Sequence, residues 1–432
     1  MRIRPIVSLV SASAALLLGL VAGVSAQESR NDNLTDNEQL GKDLFLDEDL
    51  SLNRNLSCAS CHASEAGWVG PDSTINADGA VYEGSIAGAF GNRKPPSAAY
   101  ATQSPILSVN KKGLFVGGNF WDGRATGEKL GNPAADQAQG PFLNPMEQAL
   151  PDSACVVYRA CMAEYGGLLE EVWGAAACNI AWPDDIETTC STPTDKPGQY
   201  VDLTDTERFL SDTAYDNLAL SIAAYEASPE VNAFSSKFDL SRSGKATLTK
   251  LERQGFALFQ GKGHCAACHT SSGKDALFTD YTFDNLGIPM NPENPVYARD
   301  PKFVDLGLGG FLATRQDYAV YADENMGKQK VPTLRNVDLR PTTDTVKAYG
   351  HNGYFKSLEG IVHFYNTRDV LAVCPGDYNY TEDEALAANC WPEPEVAANV
   401  NTAKKLGDLG LTVKEEQALV AYLKTLSDGY MP

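Results

Sequence analysis

Two pentapeptides, Cys58-Ala59-Ser60-Cys61-His62 and Cys265-Ala266-Ala267-Cys268-His269, decide how the rest of the chain is read. Both have the form C-x-x-C-H. Two thiols three positions apart can each bond a vinyl group of one haem, and the adjacent histidine is then directed at its iron. A zinc site or a redox disulfide is the competing use of a C-x-x-C pair. Two copies, each followed by histidine, favour covalent c-type haem. The sequence therefore predicts two covalently attached haems on Cys58, Cys61, Cys265 and Cys268, with His62 and His269 as iron ligands.

The two motifs sit in matching surroundings. "LTDNEQLGKDLF" precedes the first and "LTKLERQGFALF" the second. Each reads as a helix opening on a threonine cap, with Glu38 or Glu252 three positions on to complete a capping box. Each carries G-x-x-L-F before its motif: Gly41, Leu44 and Phe45, then Gly255, Leu258 and Phe259. Each half closes on a second helix, "NLALSIAAYEAS" and "EEQALVAYLKTLS". Helix, C-x-x-C-H, loops and closing helix is the plan of a cytochrome c domain. The expected fold is mainly α, with two cytochrome c-like domains at 27–235 and 236–432, long loops, and a cysteine-rich insertion at 151–200.

The N-terminus has Arg2 and Arg4, then an apolar run, then Val24-Ser25-Ala26, the pattern of a cleaved signal peptide over 1–26. The mature protein is expected to be periplasmic or otherwise exported, with no membrane span after cleavage. A net charge of −21, from 35 basic and 56 acidic residues, argues against nucleic acid or anionic lipid and for a basic or neutral partner. Six further cysteines, at 155, 161, 178, 190, 374 and 390, form an even set that in an oxidising compartment predicts three disulfides. Proximity pairs Cys374 with Cys390; the pairing of the other four stays open.

Beyond the haem motifs, "NFWDGRA", "DQAQGPFLNPMEQ", "KVPTLRNV" and "YGHNGYFKSLEGIVHFYN" follow in order. Together with the haem motifs, the chain resembles the bacterial dihaem cytochrome c peroxidase/MauG superfamily over nearly its whole mature length. The resemblance implies an N-terminal haem that meets hydrogen peroxide. It makes Glu147 the acid/base, since heterolytic O–O cleavage needs a proton carried from one oxygen to the other. It places Gln137 and Pro141 in the same distal pocket and Trp121 between the haems as an electron relay. The ordinary alternatives are a surface or capping glutamate and a core tryptophan.

The chain departs from the peroxidase pattern in three places. Typical members carry a removable distal histidine after the first motif, but residues 63–263 contain no histidine. The first haem is therefore expected to keep an open or water-ligated face. In "SLEGIVHFYN" (357–366), helical periodicity puts Leu358, Ile361, Val362 and Tyr365 on one apolar face and Glu359 and His363 on the other. His363 and Tyr365 stand about 200° apart on the helix, so only one can face an iron. The stripe selects Tyr365, and the family resemblance also implies that Tyr365 stands at the second haem's distal position. The alternatives are Tyr365 as a core residue and Met326 as a rival ligand. His351 is expected to support the haem surroundings without ligating. Members of the family often hold calcium between the haems. Here Lys94 replaces the expected asparagine, and "VKAYGH" lacks the expected threonine and proline, so a lysine ammonium competes with calcium.

The function expected from the resemblance is a haem peroxidase with MauG-like high-valent chemistry shared with a His/Tyr-ligated second haem. Its partners would be hydrogen peroxide and either a small redox protein (a c-type cytochrome or cupredoxin) or a protein substrate whose aromatic residue is oxidised. A non-catalytic dihaem electron carrier is the reading from another class. Glu147 argues against it, because a carrier needs no acid/base over an iron.

Overall fold

The computed structural model describes residues 34–376 and 379–431. The predicted signal peptide lies outside these residues. Thr35 and Thr249 cap the helices Asp36–Leu46 and Lys250–Gln260, and Glu38 and Glu252 close both capping boxes. The closing helices, Asp205–Ala227 and Val413–Leu423, start on the same device, with Thr204/Glu207 and Thr412/Glu415. Each box satisfies orphan N–H groups at a helix start.

In each half the opening helix lies against the closing one, and the repeated glycine permits it. A Cβ at Gly41 would run into the Ser221 carbonyl, and one at Gly255 into the Ala418 carbonyl. Glycine at these positions lets the two backbones touch. The neighbouring Leu44, Phe45, Leu258 and Phe259 are buried beside those crossings. The G-x-x-L-F repeat is thus a helix-packing motif that brings each C-x-x-C-H up to its closing helix.

One apolar core gathers Leu40, Phe45, Phe142, Leu218 and Ile222, and a second gathers Phe259, Phe278, Phe364, Leu419 and Tyr422. A smaller third cluster joins Leu107 and Phe115 to Phe283, Leu308 and Leu312. The cysteine-rich insertion supplies helices Ser153–Met162, Gly166–Trp173 and Ile186–Cys190. It is no surface excursion: Ala154, Val156, Val157, Ala160 and Leu169 are completely buried in the first core. Disulfides join Cys155 to Cys190, Cys161 to Cys178 and Cys374 to Cys390, the last as proximity suggested. Buried Arg159 donates to the Asp49 and Ser51 carbonyls, tying the insertion to the approach to the first motif.

Among the described residues, extended structure is confined to short pairs and isolated bridges. Phe283–Asp284 runs antiparallel to Gln329–Lys330, and Ala372–Val373 runs parallel to Cys390–Trp391. Among the described residues no helix is long and apolar enough to cross a membrane.

Candidate active site

Cys58, Cys61 and His62 line one cavity, and Cys265, Cys268 and His269 line another. These four cysteines are the unbridged ones. Each histidine is oriented by a main-chain carbonyl: His62 Nδ1 lies 3.2 Å from Trp68 O, and His269 Nδ1 lies 2.8 Å from Phe278 O. A carbonyl only accepts, so Nδ1 carries the hydrogen and Nε2 keeps the lone pair. Burial also pushes His62 down to about 4 and lowers His269, which keeps both rings neutral. Neutral, carbonyl-anchored imidazoles beside paired free thiols fit haem iron and its vinyl groups. On the wall of the second cavity the buried Gln329 carboxamide has no hydrogen-bond partner and suits a haem carboxylate, while His351 Nε2 faces Asp305 and Glu395 at 3.8 and 3.9 Å.

The first cavity collects the predicted distal residues. Helix Pro133–Leu143 carries Gln137 and Pro141 one turn apart, and both line it. Asn144 caps that helix, and its carbonyl accepts from Glu147 N at 2.9 Å, in a turn that brings the Glu147 side chain to the same cavity. Burial raises the Glu147 pKa, while the Arg124 charge and a hydrogen bond from Asn144 pull it back. Arg124 is itself held by Asp122 and lies over the Phe120 ring. The motif-by-motif sequence reading passed over Arg124, although it stands within "NFWDGRA".

Trp121 is only 9% exposed and lines both cavities. Its Nε1 donates to Lys94 O at 2.8 Å, and its ring meets His351 edge-on at 6.5 Å. Lys94 N in turn donates to His351 O, and Lys330 N to Trp121 O. Arg93 braces this region by pairing with Asp122 at 2.6 Å and with both oxygens of Asp305 at 2.7 Å.

On helix Leu358–Thr367, Ile361, Val362 and Tyr365 face the second cavity. Burial and the neighbouring Cys265 and Cys268 push the Tyr365 phenol well above its ordinary value. His363 points elsewhere: Nδ1 is 3.0 Å from Glu416 Oε1, and its ring tilts against Trp391. The polar face on which the sequence places His363 therefore docks onto the closing helix. Met326 packs against the third cluster and does not line the second cavity.

The two stretches in which the resemblance implies calcium ligands both carry buried lysines. Buried Lys94 stands at the expected asparagine, and its Nζ meets only Pro95 O, at 3.0 Å. Lys347, in the stretch that would supply carbonyl ligands, is buried too. Two buried lysine side chains do not fit a divalent cation.

The helical scaffold and two cavities, each built on a C-x-x-C-H motif, define a dihaem oxidoreductase. The family described as di-haem cytochrome c peroxidase matches residues 35–247. The chain is 31% identical to the methylamine utilization protein MauG of Paracoccus denitrificans over 404 residues, covering 90% of this chain and 88% of that one. It is 26% identical to the cytochrome c551 peroxidase of Nitrosomonas europaea over 330 residues, covering 76% and 72% of the two. Among solved structures it resembles the diheme peroxidase BthA of Burkholderia thailandensis, with a TM-score of 0.69, 28% identity and coverage of 91% and 86%. The chain belongs to the bacterial dihaem cytochrome c peroxidase/MauG family, and it is a haem peroxidase whose family implies two haems.

Proposed function

We propose that hydrogen peroxide reacts in the Glu147 cavity and that the second cavity holds a haem ligated by His269 and Tyr365, a MauG-like arrangement. The observation that carries this reading is the placement of Tyr365 beside Cys265 and Cys268 while His363 is engaged by Glu416. Cys58, Cys61, Cys265 and Cys268 would attach the haems covalently, in domains spanning 27–235 and 236–432. When bound, haem supplies the iron at which the O–O bond is cleaved and the redox capacity to pass two oxidising equivalents on.

The chain's own groups prepare that step. Glu147 would take a proton from one oxygen of peroxide and return it to the other, the leaving oxygen. A carboxyl raised by burial and restrained by Arg124 and Asn144 suits both halves of the transfer. Gln137 and Pro141 would narrow the space left for peroxide in the first cavity. Trp121 offers an oxidisable ring on the wall common to both cavities. A Tyr365 phenolate is a hard anionic donor that favours ferric iron and lowers the second haem's potential. A haem held by His269 and Tyr365 would be a poor acceptor from a carrier protein and a good store of oxidising equivalents.

The physiological reaction that fits is oxidation of an aromatic residue on a partner protein, with electron uptake from a small cytochrome or cupredoxin as the second mode. The acidic charge of −21 favours a basic or neutral partner. The leader pattern at 1–26 supports a periplasmic or otherwise exported site for the reaction. Electron paramagnetic resonance of the ferric holoprotein tests the reading. One high-spin and one low-spin signal, both lost on one equivalent of peroxide, are expected. Two low-spin haems inert to peroxide would contradict it.

A further inference from the structure

The Lys347 side chain is 5% exposed, and its Nζ has three partners. These are Ala66 O at 2.7 Å, Asn336 O at 2.8 Å and Leu339 O at 2.7 Å. All three are backbone carbonyls, which only accept. A neutral amine has two N–H donors and a lone pair, so three such acceptors require the ammonium form. Burial, then the charges of Lys94 and Arg340, push the Lys347 pKa well below its ordinary value, and the Asp338 carboxylate works the other way. The three carbonyl dipoles aimed at Nζ are what favour the ammonium form. A buried cation in a cage of main-chain oxygens is the environment proteins otherwise build for a hard metal ion.

The cage joins two functional segments. Ala66 ends the turn after the first haem motif, and two residues on, Trp68 O fixes His62 Nδ1. Asn336 and Leu339 belong to the stretch that continues from Val331–Val337 on the wall of the second cavity. Asn336 adopts a left-handed backbone (φ 58°), and its N–H is spent on Leu426 O, so its carbonyl is firmly presented. Gly67 leaves the space: a Cβ there would meet the Asn336 carbonyl at 2.8 Å and Lys347 Nζ at 3.0 Å.

We propose that the Lys347 ammonium is a resident cation that clamps the first haem's histidine turn to the wall of the second haem's cavity, so that this chain needs no calcium there. Lys347 is in this sense a positioning residue. Sequence comparison pointed to Lys94 as the substitute for the ion; the geometry points to Lys347.

The test uses the full-length holoprotein and does not involve peroxide, so its failure is separable from failure of the peroxidase reading. After dialysis against EGTA, metal analysis should find far less than one calcium per chain. Ferric resonance signals and thermal midpoint should be unchanged, and adding calcium should alter neither. Stoichiometric calcium, or signals that collapse with EGTA and return with calcium, would overturn the proposal. Lys347→Met should shift the first haem's ferric signal and reduction potential, because the turn that orients His62 loses its anchor. Unchanged first-haem signal and potential in a folded Lys347→Met protein would also overturn it. If the variant fails to fold, the wild-type chelation result still decides.

Discussion

His363 Nδ1 lies 3.0 Å from Glu416 Oε1, and this contact across two helices turns the imidazole away from the cavity that Tyr365 lines. Asn366 Nδ2 donates to the same carboxylate oxygen at 2.7 Å, so Glu416 fixes the rotation of the whole Leu358–Thr367 helix. Glu416→Ala should therefore loosen that helix and broaden the second haem's resonance signal. The first haem's signal should stay as it is.

Glu147→Gln keeps the shape of the first cavity and removes the group that can shuttle a proton. Peroxide turnover should fall about 10²- to 10⁴-fold, the usual worth of a general acid/base. Haem content and thermal midpoint should not change. Turnover within a few-fold of wild type would remove Glu147 from the catalytic step.

Trp121→Phe preserves an aromatic wall between the cavities but loses the donor to Lys94 O and the readily oxidised indole. Stopped-flow absorbance should still record reaction of the first haem with peroxide. The accompanying change at the second haem should be slowed or lost. Simultaneous changes at both haems in the variant would mean that Trp121 is only packing.

Gly41→Ala and Gly255→Ala force a methyl group onto the Ser221 and Ala418 carbonyls. Each should lower stability by about 1–3 kcal/mol, the range of overpacked sites, or more because the obstacle is backbone. Denaturant midpoints check this. Alanine at the exposed helical Gly167, where a Cβ would meet no atom within 4 Å, controls for the glycine-to-alanine change in a helix without the clash.

Glu226, buried at the wall of the first cavity, has its carboxyl pushed up to about 8 by burial, from an ordinary value of 4.5. The folded chain holds this proton where the unfolded chain has released it. Stability from this group is fully present below about 4.5, declines as pH rises toward about 8, and is lost above it. The difference is of order a few kcal/mol. Glu226→Gln should flatten the fall in thermal midpoint between these limits, and an unchanged slope would exclude Glu226 as its source.

The local features were readable from sequence because each has a local cause. Thr35 with Glu38, and Thr249 with Glu252, are capping boxes within one helical turn. Tyr365 and His363 separate by periodicity alone, and Cys374 finds Cys390 sixteen residues away. What escaped depends on the tertiary fold. The carbonyls around Lys347 come from residues 66, 336 and 339, and a carbonyl is the same in every residue type. The four insertion cysteines pair as 155–190 and 161–178 because their helices pack into the first core, which composition could not foretell. Glu226 is buried at the wall of the first cavity, a position set by the tertiary packing of its helix and invisible in its local sequence.

The central claim is that Tyr365 is the second haem's iron ligand, and potentiometry of the holoprotein measures it most directly. Axial ligands move haem potentials across about 0.8 V. Replacing a phenolate by a thioether in Tyr365→Met should raise the second haem's midpoint potential by a large part of that range, change its ferric spectrum, and leave the first haem's potential in place. A second-haem potential and spectrum identical in wild type and Tyr365→Met would contradict the account.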